Sequence, residues 1–132
     1  MDDKLDLKRV FPFWGKLTRE EKKELRQSAM EKVCRKGVVL HYGGEECAGV
    51  QIIQRGQARV FITSPNGGEI TLFRLVEGDV SILSAACMLR GMDIELDMEL
   101  ETNAIIYTIP KYVYKKVYDA NAAVKDYTME MI

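Results

Sequence analysis

Histidine is almost missing from this sequence: His41 is the single one in 132 residues. That scarcity argues against a metal site built from several histidines, and the spacing Cys34, His41, Cys47 matches no zinc pattern. Cysteine is also sparse. Cys34, Cys47 and Cys87 are odd in number and widely spaced, which fits reduced thiols better than a disulfide framework. Nowhere do the roughly 20 apolar residues of a spanning helix run together. The start, Met1-Asp2-Asp3-Lys4-Leu5-Asp6, is charged rather than apolar, and a cytoplasmic protein with no membrane partner is expected. Neither charge sign dominates, with 19 Lys and Arg against 20 Asp and Glu, so the chain has no basic field to hold a phosphate backbone. No Ser-His-Asp or Cys-His pairing can be motivated either, and the expectation is a protein that is not an enzyme and carries no cofactor.

What is present is β-branched sequence cut by turns. Val50-Gln51-Ile52-Ile53-Gln54-Arg55 and Ala58-Arg59-Val60-Phe61-Ile62-Thr63 flank Gly56 as two strands. Pro65-Asn66-Gly67-Gly68 then reverses the chain, with Asn66 and Gly67 as the residues that tolerate positive φ. Glu69 to Leu75 returns with apolar side chains at Ile70, Leu72 and, one face over, Phe73, and Glu77-Gly78-Asp79 makes the next turn. Ile94, Leu96, Met98 and Leu100 alternate with Glu95, Asp97, Glu99 and Glu101, the period of a half-buried strand. Four acids in alternation invite a metal reading. Side chains along one strand face stand about 7 Å apart and point outward in parallel, so a solvated face is the better account.

Gly43-Gly44-Glu45, the two strands around Gly56, the Asn-Gly turn, the returning strand and Glu77-Gly78-Asp79 follow one another in an order that resembles the sensor domain of the Crp/Fnr family of bacterial transcription regulators. The resemblance implies a mainly β fold with flanking helices: an antiparallel jelly-roll, or double-stranded β-helix, barrel like a cyclic-nucleotide-binding domain. One sensor domain over 1–132 is expected, with an N-terminal helix at about 18–32, a β-roll at about 33–109 and C-terminal helices at about 110–132.

At the front, Val10, Phe11, Phe13, Trp14 and Leu17 cluster before Thr18, which caps a helix with Glu21 reaching back. The charges of Glu20 to Glu24 read as its solvated face. Some family members carry an iron-sulfur cysteine cluster ahead of this helix, and this sequence has no cysteine before Cys34. Lys32 to Leu40 reads as the first strand, broken at Gly37. Pro110 follows the last strand at the N1 position of a helix, and Asn121 caps another with Val124, Tyr127, Thr128 and Met131 on one stripe. The resemblance makes that stripe the start of a long dimerisation helix leading to a helix-turn-helix domain. Both are expected to be truncated or missing here, with a homodimer in the full-length form, weak or absent in this chain, and DNA reached only through the missing domain.

Cyclic-nucleotide-binding relatives hold the phosphate with a Gly-Glu pair and an Arg followed by a small residue. Placed against that pattern, this sequence has Ile82-Leu83 for Gly-Glu and Ile94-Glu95 for the Arg and its neighbour. An apolar residue removes the cation and Glu95 adds a repulsive charge, which argues against cyclic AMP. The candidate effector pocket is therefore Ile82, Leu83, Ser84, Cys87, Arg90, Ile94 and Glu95, with an unknown small effector as partner. Arg90 is the one nearby cation, in what reads as an exposed loop. Cys87 has two readings, an oxidant- or cofactor-sensing thiol and a buried small hydrophobe, and the burial habit of free cysteine favours the second. Two other functions stay open: a cupin-like metal-binding protein or enzyme on the same roll, and a stand-alone interaction module.

Overall fold

The computed structural model describes residues 6–42, 49–81 and 96–131. A short helix, α1 (Leu7–Val10), and a 3-10 turn at Trp14–Lys16 lead into α2 (Arg19–Ser28). Thr18 caps α2 as expected: its hydroxyl accepts from the Glu21 N–H at 3.1 Å, and Glu21 Oε1 accepts from the Thr18 N–H at 2.9 Å. The helix ends at Ser28, short of the expected residue 32. Ala29 is already extended, and the chain leaves as β1 (Met30–Cys34) to pair with the last strand. The stretch 32–40, expected as one strand, is two. Gly37, at φ +92°, turns the chain out of β1 and into β2 (Val39–Tyr42), which belongs to the opposite sheet.

β3 (Gly49–Arg55), β4 (Gln57–Thr63), β5 (Glu69–Val76), β6 (Val80–Ser81), β7 (Leu96–Leu100) and β8 (Ala104–Pro110) complete two four-stranded antiparallel sheets. Their orders are β1-β8-β3-β6 and β2-β7-β4-β5. The fold is therefore mainly β, an antiparallel jelly roll with flanking helices. α3 (Lys111–Ala120) and α4 (Ala122–Met131) close the described chain. Pro110 stands at the N-cap of α3 rather than at N1, because its backbone still belongs to β8.

The β4–β5 turn differs from the expectation at one residue. Only Gly67 takes a positive φ, +90°, and Asn66 does not. Pro65 fixes the φ suited to the first central position of a type I turn, and the Gly67 N–H closes that turn on the Ser64 carbonyl at 2.9 Å. The left-handed residue is thereby displaced one place along.

Two cores result. Between the sheets lie Cys34, Ile53, Ala58, Val60, Leu75, Leu96, Met98, Leu100, Ala104 and Ile106. Outside the first sheet, Val50, Ile52 and Ile109 turn their side chains to the helices and meet Phe11, Leu25, Tyr114, Val117 and Val124. β3 is thus buried on both faces. The N-terminal aromatic cluster is part of this second core: Phe11, Phe13, Trp14 and Leu17 are all buried within the chain.

Candidate functional site, an apolar cleft beside the last helix

A register slip shapes the site. Val60 faces Phe73 but Phe61 faces Thr71, so Leu72 is an extra residue in β5. A bulge reverses the alternation beyond it. Ile70 opposes Ile62, and past the bulge Phe73 and Leu75 return to the face shared with Val60 and Ala58. Leu72, placed in sequence on one face with Ile70, is left 43% exposed, and Ile70 near the hairpin tip is 50% exposed.

The β5–β6 turn forms the floor. Gly78, at φ +91°, donates its N–H to the Ile53 carbonyl at 2.7 Å, and the Ile53 N–H returns to the Asp79 carbonyl at 2.9 Å. The Val76 N–H donates to Asp79 Oδ2 at 2.8 Å, so this carboxylate braces the turn it sits in. Phe73, Leu75 and Val80 line the cleft together with Val10 of α1. Tyr127 and Met131 of α4 complete a cleft of about 430 Å³, within the range of small-molecule sites.

Helix α4 is held against the body by three contacts. Tyr127 sets its ring edge-on to Phe13 at 5.2 Å and to Phe11 at 6.2 Å, while Phe11 and Phe13 stack at 4.8 Å. The Tyr114 and Thr128 hydroxyls meet at 2.6 Å. Thr128 donates to the Val124 carbonyl at 2.8 Å, which leaves Tyr114 as donor to Thr128. Asn121, at the elbow, accepts from the Ala123 N–H and gives its own amide to the Lys16 carbonyl and Glu21 Oε1. Burial pushes the Tyr114 hydroxyl up to about 12, and burial also raises Tyr127.

The stripe expected to face a second copy is therefore largely used inside the chain. Val124 and Thr128 are fully buried, Tyr127 packs on the aromatic pair, and Met131 alone is more than half exposed. A helix this short gains its stability from tertiary burial, and this stripe is the apolar face available for it. The between-sheet core is separate from α4, but the helix-side core includes it.

Ile82, Leu83, Ser84, Cys87, Arg90, Ile94 and Glu95 lie outside the described residues, as does Cys47. Cys34 is buried and lines a second cleft of about 410 Å³ with Arg35 and Arg55. The acidic face of β7 is ion-paired. Asp97 meets His41 Nδ1 at 2.7 Å, Glu99 meets Arg59 at 2.9 Å and Glu101 meets Arg74 at 3.0 Å. Among the described residues no three His, Cys, Asp or Glu gather into a metal-holding group. No described helix is long and apolar enough to cross a membrane. Sequence reasoning did not assign Val10, Phe73 or Asp79 to a site. The Gly-Asp turn was visible, but the bulge that turns Phe73 inward has no marker in composition.

Comparison with family models and with curated proteins gives no match. Solved structures do match. A protein described as a Crp/Fnr-family transcriptional regulator from Eubacterium rectale is 35% identical over 92% of this chain, with a TM-score of 0.83. This chain spans 56% of that protein's length. The sensor domain of the transcriptional regulator DNR from Pseudomonas aeruginosa superposes with a TM-score of 0.78 at 16% identity, covering 95% of this chain and 83% of its own. The catabolite activator protein of Thermus thermophilus gives 0.69 at 18%, covering 90% and 54%. The last two show a shared fold. The first, at 35% identity, shows that this chain belongs to the Crp/Fnr family, and the shared fold is its cyclic-nucleotide-binding-like β-roll.

Proposed function

We propose that the chain is the effector-sensing domain of a Crp/Fnr-type regulator, that its effector is a small molecule other than a cyclic nucleotide, and that the cleft beside α4 takes part in sensing it. The observation that carries this is the position of α4. The second helix after the roll is also a wall of the cleft, through Tyr127 and Met131, so an occupant would bear directly on it. A ligand shifts an equilibrium only by its differential contacts with the two states, and those two side chains supply such contacts. The 35% identity over nearly the whole chain supports the regulatory reading. Ile82-Leu83 and Ile94-Glu95, standing where relatives carry their phosphate-binding residues, support the exclusion of cyclic nucleotides.

In this reading, DNA is controlled through a reader elsewhere in the protein, since the near balance of charge gives this chain little hold on a phosphate backbone. A dimer contact would fall on the side of α4 where Met129 and Met131 are exposed. Thermal melts test the effector class. A ligand at a hundred times its dissociation constant stabilises by about 2.7 kcal/mol, which a melt resolves easily. Cyclic AMP and cyclic GMP are expected to leave the midpoint unchanged, and a rise of several degrees with either would overturn the exclusion. Native mass spectrometry of copurified small molecules would then identify the effector itself.

A further inference from the structure

The charge of the cleft sets the class of molecule it accepts. Of its described lining residues only Asp79 carries a formal charge, and that charge is negative. The other walls offer the rings of Phe73 and Tyr127, the Met131 thioether and aliphatic carbon. Burial raises Tyr127, so its hydroxyl stays neutral at working pH. Asp79 lines the cleft, and one of its oxygens, Oδ2, accepts the Val76 N–H of its own turn, a single bond for a carboxylate that can accept several.

We propose that this cleft selects an apolar cation, an aromatic or alkyl amine, over neutral and anionic molecules of the same shape. Two features act in the same direction. A carboxylate beside apolar walls attracts an ammonium group and repels a carboxylate or phosphate, and aromatic side chains such as Phe73 and Tyr127 attract a cation more than an anion. Both terms reverse for an anion. The inference rests on the reading of the cleft as an effector site, and it adds a sign of charge to that reading.

Three probes of one shape decide it: naphthylethylamine, naphthylethanol and the anion of naphthylacetic acid, titrated calorimetrically against the whole chain. The amine is expected to bind about tenfold more tightly than the alcohol, and the acid more weakly than either. Asp79→Asn keeps an oxygen to accept the Val76 N–H while removing the charge, and should narrow the spread of the three affinities. Met131→Lys, at a half-exposed position, tests the same charge without touching the turn, and should move the preference toward the acid. Equal binding of the three probes to the parent chain, or a preference for the acid, would overturn the charge selection and leave the cleft as a site. Binding of none of them would overturn the cleft reading together with this inference. An unchanged amine preference in both variants would assign the selectivity to groups other than Asp79.

Discussion

The two sheets share one core but live in different surroundings on their outer faces. The β1-β8-β3-β6 sheet is covered by helices, and its central strand β3 is buried from Gly49 to Ile53 without interruption. The β2-β7-β4-β5 sheet meets solvent, and β7 alternates strictly between buried Leu96, Met98, Leu100 and half-exposed Asp97 and Glu99. Its outer face is tied by ions. Arg59 reaches Glu69 at 2.7 Å and Glu99 at 2.9 Å while lying 4.2 Å over the Phe61 ring. Apolar burial is worth about 25 cal/mol per Å² and surface ion pairs usually less than about 1 kcal/mol each, so the helix-covered side should hold most of the stability. Helix α4, which bears on the cleft, belongs to that side.

Phe11→Ala should have the largest effect. Phe11 is fully buried between Phe13, Tyr114 and Tyr127, and truncating such a ring costs about 3–5 kcal/mol. A fall of that size in urea unfolding, with hydrogen exchange accelerated first in α1 and α4, is the expected outcome. An equal acceleration across β4 and β7 would show that the two outer faces are not energetically distinct. Gly49→Ala comes next. At φ +119° its new Cβ would stand 2.1 Å from the Ile109 carbonyl oxygen and 2.8 Å from the Lys111 nitrogen, both backbone atoms that cannot rotate away. We expect a loss of at least about 2 kcal/mol there. Gly67→Ala, on the solvent-facing hairpin, meets nothing within 4 Å and should cost about 1–2 kcal/mol for its left-handed backbone alone.

Tyr114→Phe sharpens the comparison at alkaline pH. Removing the hydroxyl leaves Thr128 without its donor, a change of about 1–2 kcal/mol. The pH dependence is more telling. The hydroxyl is raised from 10.0 to about 12 by burial, so between those values the folded chain holds a proton that the unfolded chain has released. Stability from this group is complete below pH 10 and is lost as pH rises toward 12. The parent should therefore weaken over that window more steeply than Tyr114→Phe, while the raised Tyr127 gives both proteins a shared slope. Parallel curves would place Tyr114 in contact with water.

Much of this was legible in the sequence, for reasons particular residues make plain. The Thr18–Glu21 capping box is local chemistry and formed as written. Strand β7 alternates because one of its faces meets water, and that imprints a period of two. Strand β3 has no such period, since helices cover the side that would otherwise be polar, and only its β-branched composition marked it. Two devices left no mark at all. The Leu72 bulge flips Phe73 inward through pairing with a distant strand, and the burial of Val124, Tyr127 and Thr128 depends on where the N-terminal aromatics fold back. An amphipathic stripe says that a helix face will be covered. It does not say by what, and here the chain covers it itself.

The smallest expected effect lies on the solvent-facing sheet, at Glu101. Its carboxylate accepts from Gln57 at 2.9 Å and from Arg74 at 3.0 Å, and these two bonds, Gln57 first, hold it below its ordinary value of 4.5. A carboxyl lowered by folding carries fewer protons in the native state than in the unfolded one. Its contribution is therefore present above pH 4.5 and fades as pH falls through the lowered value. The group is open to solvent and salt, so Glu101→Gln should melt close to the parent at neutral pH. Below pH 4.5 the parent should lose stability slightly faster than the variant, and added salt should narrow the gap. A large loss at neutral pH would mean that the ionic face carries weight comparable to the helix-covered one. The contrast between the two sheets would then have to be drawn from packing in the shared core rather than from what covers each of them.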